Sequence, residues 1–339
     1  MSVKIANFGF KLIFDTMSDL SFIPPFTVGV DLGGTNTAFA VVDSQGNILA
    51  KDSIPTHTPT IEAWATNLFT KLSAMITENG LDGKVIGIGV GAPAANAISG
   101  CIEGATNLPW SLPVPMVDTL QKITGIPTSI TNDANAAAIG EMAYGAAKGL
   151  KNFIVLTLGT GIGSGIVVDG HLLTGSSGFA GELGHVRFPF AQDRLCGCGR
   201  YGCLETIGSA RGVVETAKRM LRSSDEPSQI REIPEAKLTP KDVSMAALNG
   251  DKIANEVWQF TGKCLGEASA EFASMADPEA IIIFGGVAKA GELILAPMRE
   301  AFKANALHLY RDRVRFLQSS LPDADAAILG AAALPYMHN

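Results

Sequence analysis

The residues best suited to chemistry crowd between Gly181 and Glu205: Glu182, His185, Cys196, Cys198, Cys203 and Glu205. One imidazole and three thiolates make a complete tetrahedral donor set for zinc, and Gly197, Gly199 and Gly202 permit a tight loop around it. With all four positions filled by protein, such an ion is structural rather than a source of attacking hydroxide. The chain has five cysteines, an odd number with three in this one segment, which fits a metal site in a reducing compartment better than a disulfide framework. Cys101 and Cys264 stand alone, and His57, His171, His308 and His338 lack partners at metal or triad spacing.

A second group, Thr131-Asn132-Asp133-Ala134-Asn135-Ala136, sets an amide beside a carboxylate at the start of a helical composition that runs to Tyr144. In isolation this reads as a helix start capped by Asp133. Phosphoryl transfer needs the same pair differently, as a carboxylate that accepts a hydroxyl proton and a neighbour that orients the hydroxyl. Two glycine turns decide between the readings. Asp31-Leu32-Gly33-Gly34-Thr35-Asn36 puts a carboxylate at a strand end beside open backbone amides, although alone it reads as a plain hairpin. Leu158-Gly159-Thr160-Gly161-Ile162-Gly163-Ser164-Gly165 spends four glycines and two hydroxyls, costly in chain entropy unless something must come close. Facing turns hold one polyphosphate, so catalysis becomes the better reading of Asp133.

The elements that position these groups are legible in outline. Phe26 to Asp31 and Ala38 to Val42 read as a strand, turn and strand, and Ile48 to Ala50 begins a third. Leu32, Gly33, Val41, Val42 and Asp43 recur at the same spacing as Leu158, Gly159, Val167, Val168 and Asp169, which suggests a duplicated α/β unit with a nucleotide between its halves. Ile61, Trp64, Leu68, Leu72 and Met75 mark one helix face, with Thr60 to cap its start and Gly80 its end. Val85 to Val90 reads as a buried strand running into Gly91-Ala92-Pro93, and Ile253 to Met275 as a long helix ending before Asp277-Pro278. Arg222 to Lys241, polar and carrying three prolines, reads as a surface excursion.

At 339 residues the chain exceeds what one core usually supports, so two lobes with a cleft are expected. A 47% apolar and 17% charged composition suits a compact enzyme, and a net charge of −7 without a Lys/Arg cluster excludes a nucleic-acid partner. The apolar run from Phe8 to Phe14 is interrupted by Lys11, is too short to span a bilayer and lacks a cleavage site, so residues 1–25 read as an N-terminal extension of a cytoplasmic protein. Met17, just before the first strand, is a second candidate start of translation. Neither a Ser-His-Asp order nor a Gly-x-x-x-x-Gly-Lys loop is visible.

The two turns, together with Ile281-Ile282-Ile283-Phe284-Gly285-Gly286, resemble the phosphate and adenosine elements of the actin-like sugar kinases, although Gly285-Gly286 alone reads as a strand-to-helix turn. Gly181-Glu182-Leu183-Gly184-His185 and the run from Cys196 to Glu205 resemble the signature of the ROK family of bacterial sugar kinases and related repressors, over nearly everything from Val28 to about Ala333. The resemblance implies an α/β, two-lobed, actin-like (ribonuclease H-like) fold, with a small lobe over residues 26–131, a large lobe with the zinc loop over 132–324, and a last helix, about 325–339, returning to the small lobe. It implies ATP, Mg²⁺ and structural Zn²⁺, and a homodimer or higher homo-oligomer. By the same resemblance Asn107, Asn132, Glu182, His185 and Glu205 hold a sugar. His185 serves zinc through one ring nitrogen and sugar through the other. Gly33, Gly34, Thr35, Asn36, Thr160 and Gly161 bind phosphates, Gly285 and Gly286 adenine, and Asp31 places Mg²⁺ through water. Glucose is the expected hexose, with N-acetylglucosamine and fructose behind it. A repressor would need a helix-turn-helix domain, for which residues 1–25 are too few and too uncharged. Ala94-Ala95-Asn96-Ala97 departs from the family pattern, which carries a glycine there followed later by Val-Asp.

Overall fold

The computed structural model describes residues 25–105, 108–322 and 325–337. The N-terminal extension up to residue 24, with Met17, lies outside the described residues, as do Asn107 and His338. The chain begins with β1 (Phe26–Leu32), which folds back antiparallel on β2 (Asn36–Val42) so that Asp31 faces Ala38 across the pair. The edge strand β3 (Ile48–Pro55) alternates exposed and half-buried side chains, as an edge with one wet face should. Helix α1 (Ile61–Glu78) starts where the Thr60 hydroxyl accepts the Ala63 N–H at 3.2 Å, and it buries Trp64, Leu68 and Leu72.

Next, β4 (Val85–Gly91) pairs parallel with β1, a small hairpin forms from β5 (Ala95–Asn96) and β6 (Cys101–Ile102), and α2 (Met116–Thr124) leads into β7 (Thr128–Thr131), parallel to β4. This first five-stranded sheet runs β3-β2-β1-β4-β7. Trp110 is core beside it, its ring 5.7 Å edge-on from that of Trp64.

After α3 (Asp133–Tyr144) the same connectivity returns. β8 (Phe153–Leu158) and β9 (Ile162–Val168) pair antiparallel, and β10 (His171–Leu172) extends them. A long helical section follows: α4 (Glu205–Gly208), α5 (Ala210–Ser223), α6 (Pro240–Leu248) and α7 (Lys252–Ala276). Then β11 (Ala280–Phe284), α8 (Glu292–Asn305) and β12 (Arg315–Gln318) complete a second five-stranded sheet, β10-β9-β8-β11-β12. The unbroken apolar runs of β8 and β11 are buried on both faces, as central parallel strands require. The duplication read from Leu32 and Leu158 is thus a duplication of sheet order. The stretch from Arg222 to Lys241 is not wholly a surface excursion: Ile230 (1% exposed) and Leu238 (7%) anchor it in the second core. Two scattered apolar residues carry no period, so the sequence hid them.

The last described helix, α9 (Ala326–Met337), lies across β1 and β4. The Thr27 hydroxyl donates to the Ala332 carbonyl at 2.8 Å, and a Cβ on Gly29 or Gly89 would overlap the carbonyl oxygens of Ile328 or Ala331. Glycine at these strand positions lets the helix backbone rest directly on the sheet. Among the described residues no helix is long and apolar enough to cross a membrane. Gly89→Ala should therefore lower stability by about 1–3 kcal/mol through overpacking. The check is thermal or urea denaturation, and an unchanged midpoint would show that α9 does not bear on this strand.

Candidate active site and metal centre

Strand β7 delivers the chain to the start of α3, where Asn132 takes the cap: its Oδ1 accepts the Asn135 N–H at 2.7 Å. The capping role that Asp133 offers in isolation thus falls to its neighbour. Asp133 is the first helical residue, held by the N–H of Ala134 at 2.9 Å, and burial pushes its carboxyl above the ordinary aspartate value while the Ala134 and Asp133 amides pull it back. Asp31, at the end of β1, is raised first by burial and then by the charge of Asp133, with Lys51 opposing. The two carboxylates sit in one field.

A cleft of ≈ 520 Å³ is lined by Asn132 and Asp133 from α3, Thr160 and Gly161 from the β8–β9 turn, Glu182, Glu205 and Gly285. Asp31, Gly33, Gly34, Thr35, Asn36, Gly286 and His185 are not among its lining residues. The first glycine turn is tied back at its base, where the Thr56 hydroxyl donates to the Gly33 carbonyl at 2.7 Å and the Thr56 N–H to that of Thr35 at 2.9 Å; Thr35 and Asn36 are exposed at its tip. The second turn is closely packed from within the protein. The groups that approach three of its glycines belong to the protein itself: Gly161 makes room for the Glu205 carboxylate, Gly163 for Ala134 and Gly165 for Ala138. Gly159 faces open space among the described residues.

The metal donors converge. Ligand atoms of His185, Cys196, Cys198 and Cys203 all lie within 4.8 Å of one another. The Cys198 and Cys203 sulfurs are 3.7 Å apart, as are the Cys196 sulfur and His185 Nδ1. Bonds of about 2.3 Å to a tetrahedral zinc give sulfur–sulfur edges of about 3.8 Å, so the set fits that ion. Short backbone links shape the loop: the Gly199 N–H donates to the Cys196 carbonyl, Phe188 to Gly202 and Leu204 to Val186, while Arg200 Nη2 reaches the His185 carbonyl at 2.9 Å. Burial holds the Cys196 thiol up to about 12 and raises Cys203, whereas the backbone N–H and then the side chain of Arg200 draw Cys198 down to about 6. A bound cation would supply the charge that burial denies the other two thiolates.

His185 Nε2 lies 3.9 Å from an oxygen of Glu182, which itself lines the cleft. Glu205 bridges the two halves of the site: one oxygen accepts the Ile162 N–H at 2.9 Å and the other the Cys196 thiol at 3.3 Å. His57, His171 and His308 are exposed and take no part. The sequence reading missed Phe179, which lines the cleft while 43% exposed. Its signal was an aromatic set in the glycine-bearing loop Gly178-Phe179-Ala180-Gly181, three residues before Glu182.

The ROK family model matches residues 27–337. The glucokinase of Halalkalibacterium halodurans is 38% identical over 311 residues, 91% of this chain and 94% of that protein. The N-acetylmannosamine kinase of Citrobacter koseri is 32% identical over 320 residues, covering 91% and 98%. The crystal structure of a ROK family glucokinase from Streptomyces griseus in complex with glucose and AMPPNP superposes with a TM-score of 0.71 at 33% identity, over 92% of this chain and 99% of that one. Two sheets of one order, a cleft lined by both glycine-turn and carboxylate residues, and a match over most of the length agree: the fold is the actin-like ATPase fold, and the chain belongs to the ROK family.

Proposed function

We propose that this chain transfers the γ-phosphoryl group of ATP to a hexose hydroxyl, glucose O6 first, in a cleft between a small lobe of residues 26–131, with the helix of about 325–339, and a large lobe of residues 132–324. The observation that carries the reading is the division of labour at the start of α3. Because Asn132 makes the cap, the Asp133 carboxylate is left to the cleft, partly desolvated and raised towards the range of a useful base. Asp133 takes the proton of the attacking hydroxyl. The Asn132 side-chain amide, Glu182, Glu205 and His185 orient the sugar, with Asn107 as a further contact. The turns at Gly33–Asn36 and Thr160–Gly161 receive the phosphates, and Gly285-Gly286 the adenine. Magnesium, when bound, offsets charge on the transferring phosphate, and Asp31 would help hold it through water. Zinc, when bound to His185, Cys196, Cys198 and Cys203, fixes the imidazole that faces the sugar. The C. koseri relative supports a second reading, an N-acetylhexosamine kinase. A coupled assay with ATP, Mg²⁺ and glucose, fructose, N-acetylglucosamine or N-acetylmannosamine separates the two. The family resemblance also supports a cytoplasmic homodimer or higher homo-oligomer.

Asp133→Asn should keep sugar binding and lose about 10²-fold or more in kcat, the usual scale for a lost general base. Near-normal turnover would remove Asp133 from the role. Because the carboxylate form is the active one and its pKa is raised, kcat/KM should fall on the acid side with a midpoint above the ordinary aspartate value, and that limb should vanish in the variant. Cys198→Ala should lose zinc by elemental analysis and raise the sugar KM through a displaced His185. Full activity without zinc would sink the link between metal and sugar.

A further inference from the structure

The stretch Ala94-Ala95-Asn96-Ala97 holds a side chain that the scheme above leaves without a task. Asn96 is only 4% exposed, and its amide is fully engaged. Its Oδ1 accepts the N–H groups of Ile98 at 2.9 Å and Ser99 at 3.4 Å, and its Nδ2 donates to Glu103 Oε1 at 3.2 Å. Those three bonds close the β5–β6 hairpin locally. The fourth goes elsewhere: Nδ2 donates at 2.9 Å to the Ser177 carbonyl, 81 residues away in the loop that follows β10.

The receiving loop is shaped for this contact. Gly178 is buried at φ +86, and a Cβ there would overlap the Asn96 amide. The next residue is Phe179, on the cleft wall, and Glu182 follows three further on. The far end of the loop is tied to β9, where the Ser164 hydroxyl donates to the Gly181 carbonyl and accepts the Leu183 N–H. Ala94 and Ala95, immediately before Asn96, line the same cleft. One amide thus joins two cleft-lining segments that lie 81 residues apart in the chain.

We propose that Asn96 is a positioning residue for the sugar: through Ser177 and Gly178 it clamps the loop bearing Phe179 and Glu182 to the segment bearing Ala94 and Ala95, and so sets the width of the acceptor end of the cleft. The hairpin could close with three of these bonds; the fourth, with the glycine that accommodates it, acts between the walls. The inference rests on the sugar-kinase reading and adds a determinant of acceptor affinity to it.

The test pairs Asn96→Asp with Glu103→Gln. The aspartate keeps both acceptor bonds of the hairpin and loses the donation to Ser177, and the second change prevents two carboxylates from repelling each other. The sugar KM should rise about tenfold, the effect of one lost buried hydrogen bond and a loosened wall. kcat and the ATP KM should stay within about twofold, and Glu103→Gln alone should behave as the parent. Gly178→Ala attacks the same contact from the other loop and decides the matter where the first variant does not fold. It too should raise the sugar KM selectively, and the combined variant should fall short of the product of the two effects. An unchanged sugar KM, or sugar and ATP KM rising together, would overturn the role of Asn96 while leaving the kinase reading intact. Absence of phosphoryl transfer to any hexose by the parent enzyme removes both.

Discussion

Helix α3 meets β9 on one side and α9 on the other with backbone almost touching backbone. Gly163 and Gly165 of β9 receive Ala134 and Ala138, while Gly330 of α9 rests on the Ala136 carbonyl and Gly140 on Gly330. Packed elements are normally held about 8–10 Å apart by the side chains between them. Here those side chains are missing on all three elements, and α3 has little freedom to roll or slide. Its first turn carries Asn132 and Asp133, so the precision of the packing becomes precision in where a carboxylate points. Misplacing a catalytic group by about 1 Å can cost 10²-fold in rate, and the base proposed at Asp133 sits on a helix packed closely on two sides.

Glu205 extends the same rigidity to the metal loop. Its carboxylate joins the Ile162 amide at the β8–β9 turn to the Cys196 sulfur, and the Gly159 carbonyl of that turn accepts the Ala210 N–H at the start of α5. The β8–β9 turn, the cysteine loop and the helices α4 and α5 are therefore tied to one another. An ion held by the cysteines would take the Cys196 proton, and with it the bond to Glu205, while fixing His185 directly.

Local chemistry made much of this legible from sequence. The hairpins β1–β2 and β8–β9 repeat within short windows, the Thr60 cap precedes a clear apolar stripe, and the three cysteines with His185 lie in one short segment. Two features were left open for a common cause. Asn132 and Asp133 are equally good caps by type; which one takes the position depends on where β7 ends, and that is fixed by its pairing with β4, Thr131 against Gly91. The glycines of the second turn were rightly read as making room, but a sequence does not say whether a ligand or the protein's own helix fills it. The contact between Asn96 and Ser177 was invisible for the same reason: 81 residues separate partners that only the docking of two sheets brings together.

The bond between Thr27 and Ala332 spans 305 residues. Strands β1 and β4 emerge early in synthesis, yet the helix that covers their glycine-bearing face is the last of the described elements. The second sheet finds its strand partners and the helices α7 and α8 within residues 153–318. Until α9 docks, the first sheet therefore shows one apolar face, and closing so long a loop carries an entropic cost. The docking of α9 then does two things at once. It seals the first sheet and supplies the surface against which α3 is held, and since Ala327 lines the cleft, the cleft is incomplete without the last described helix.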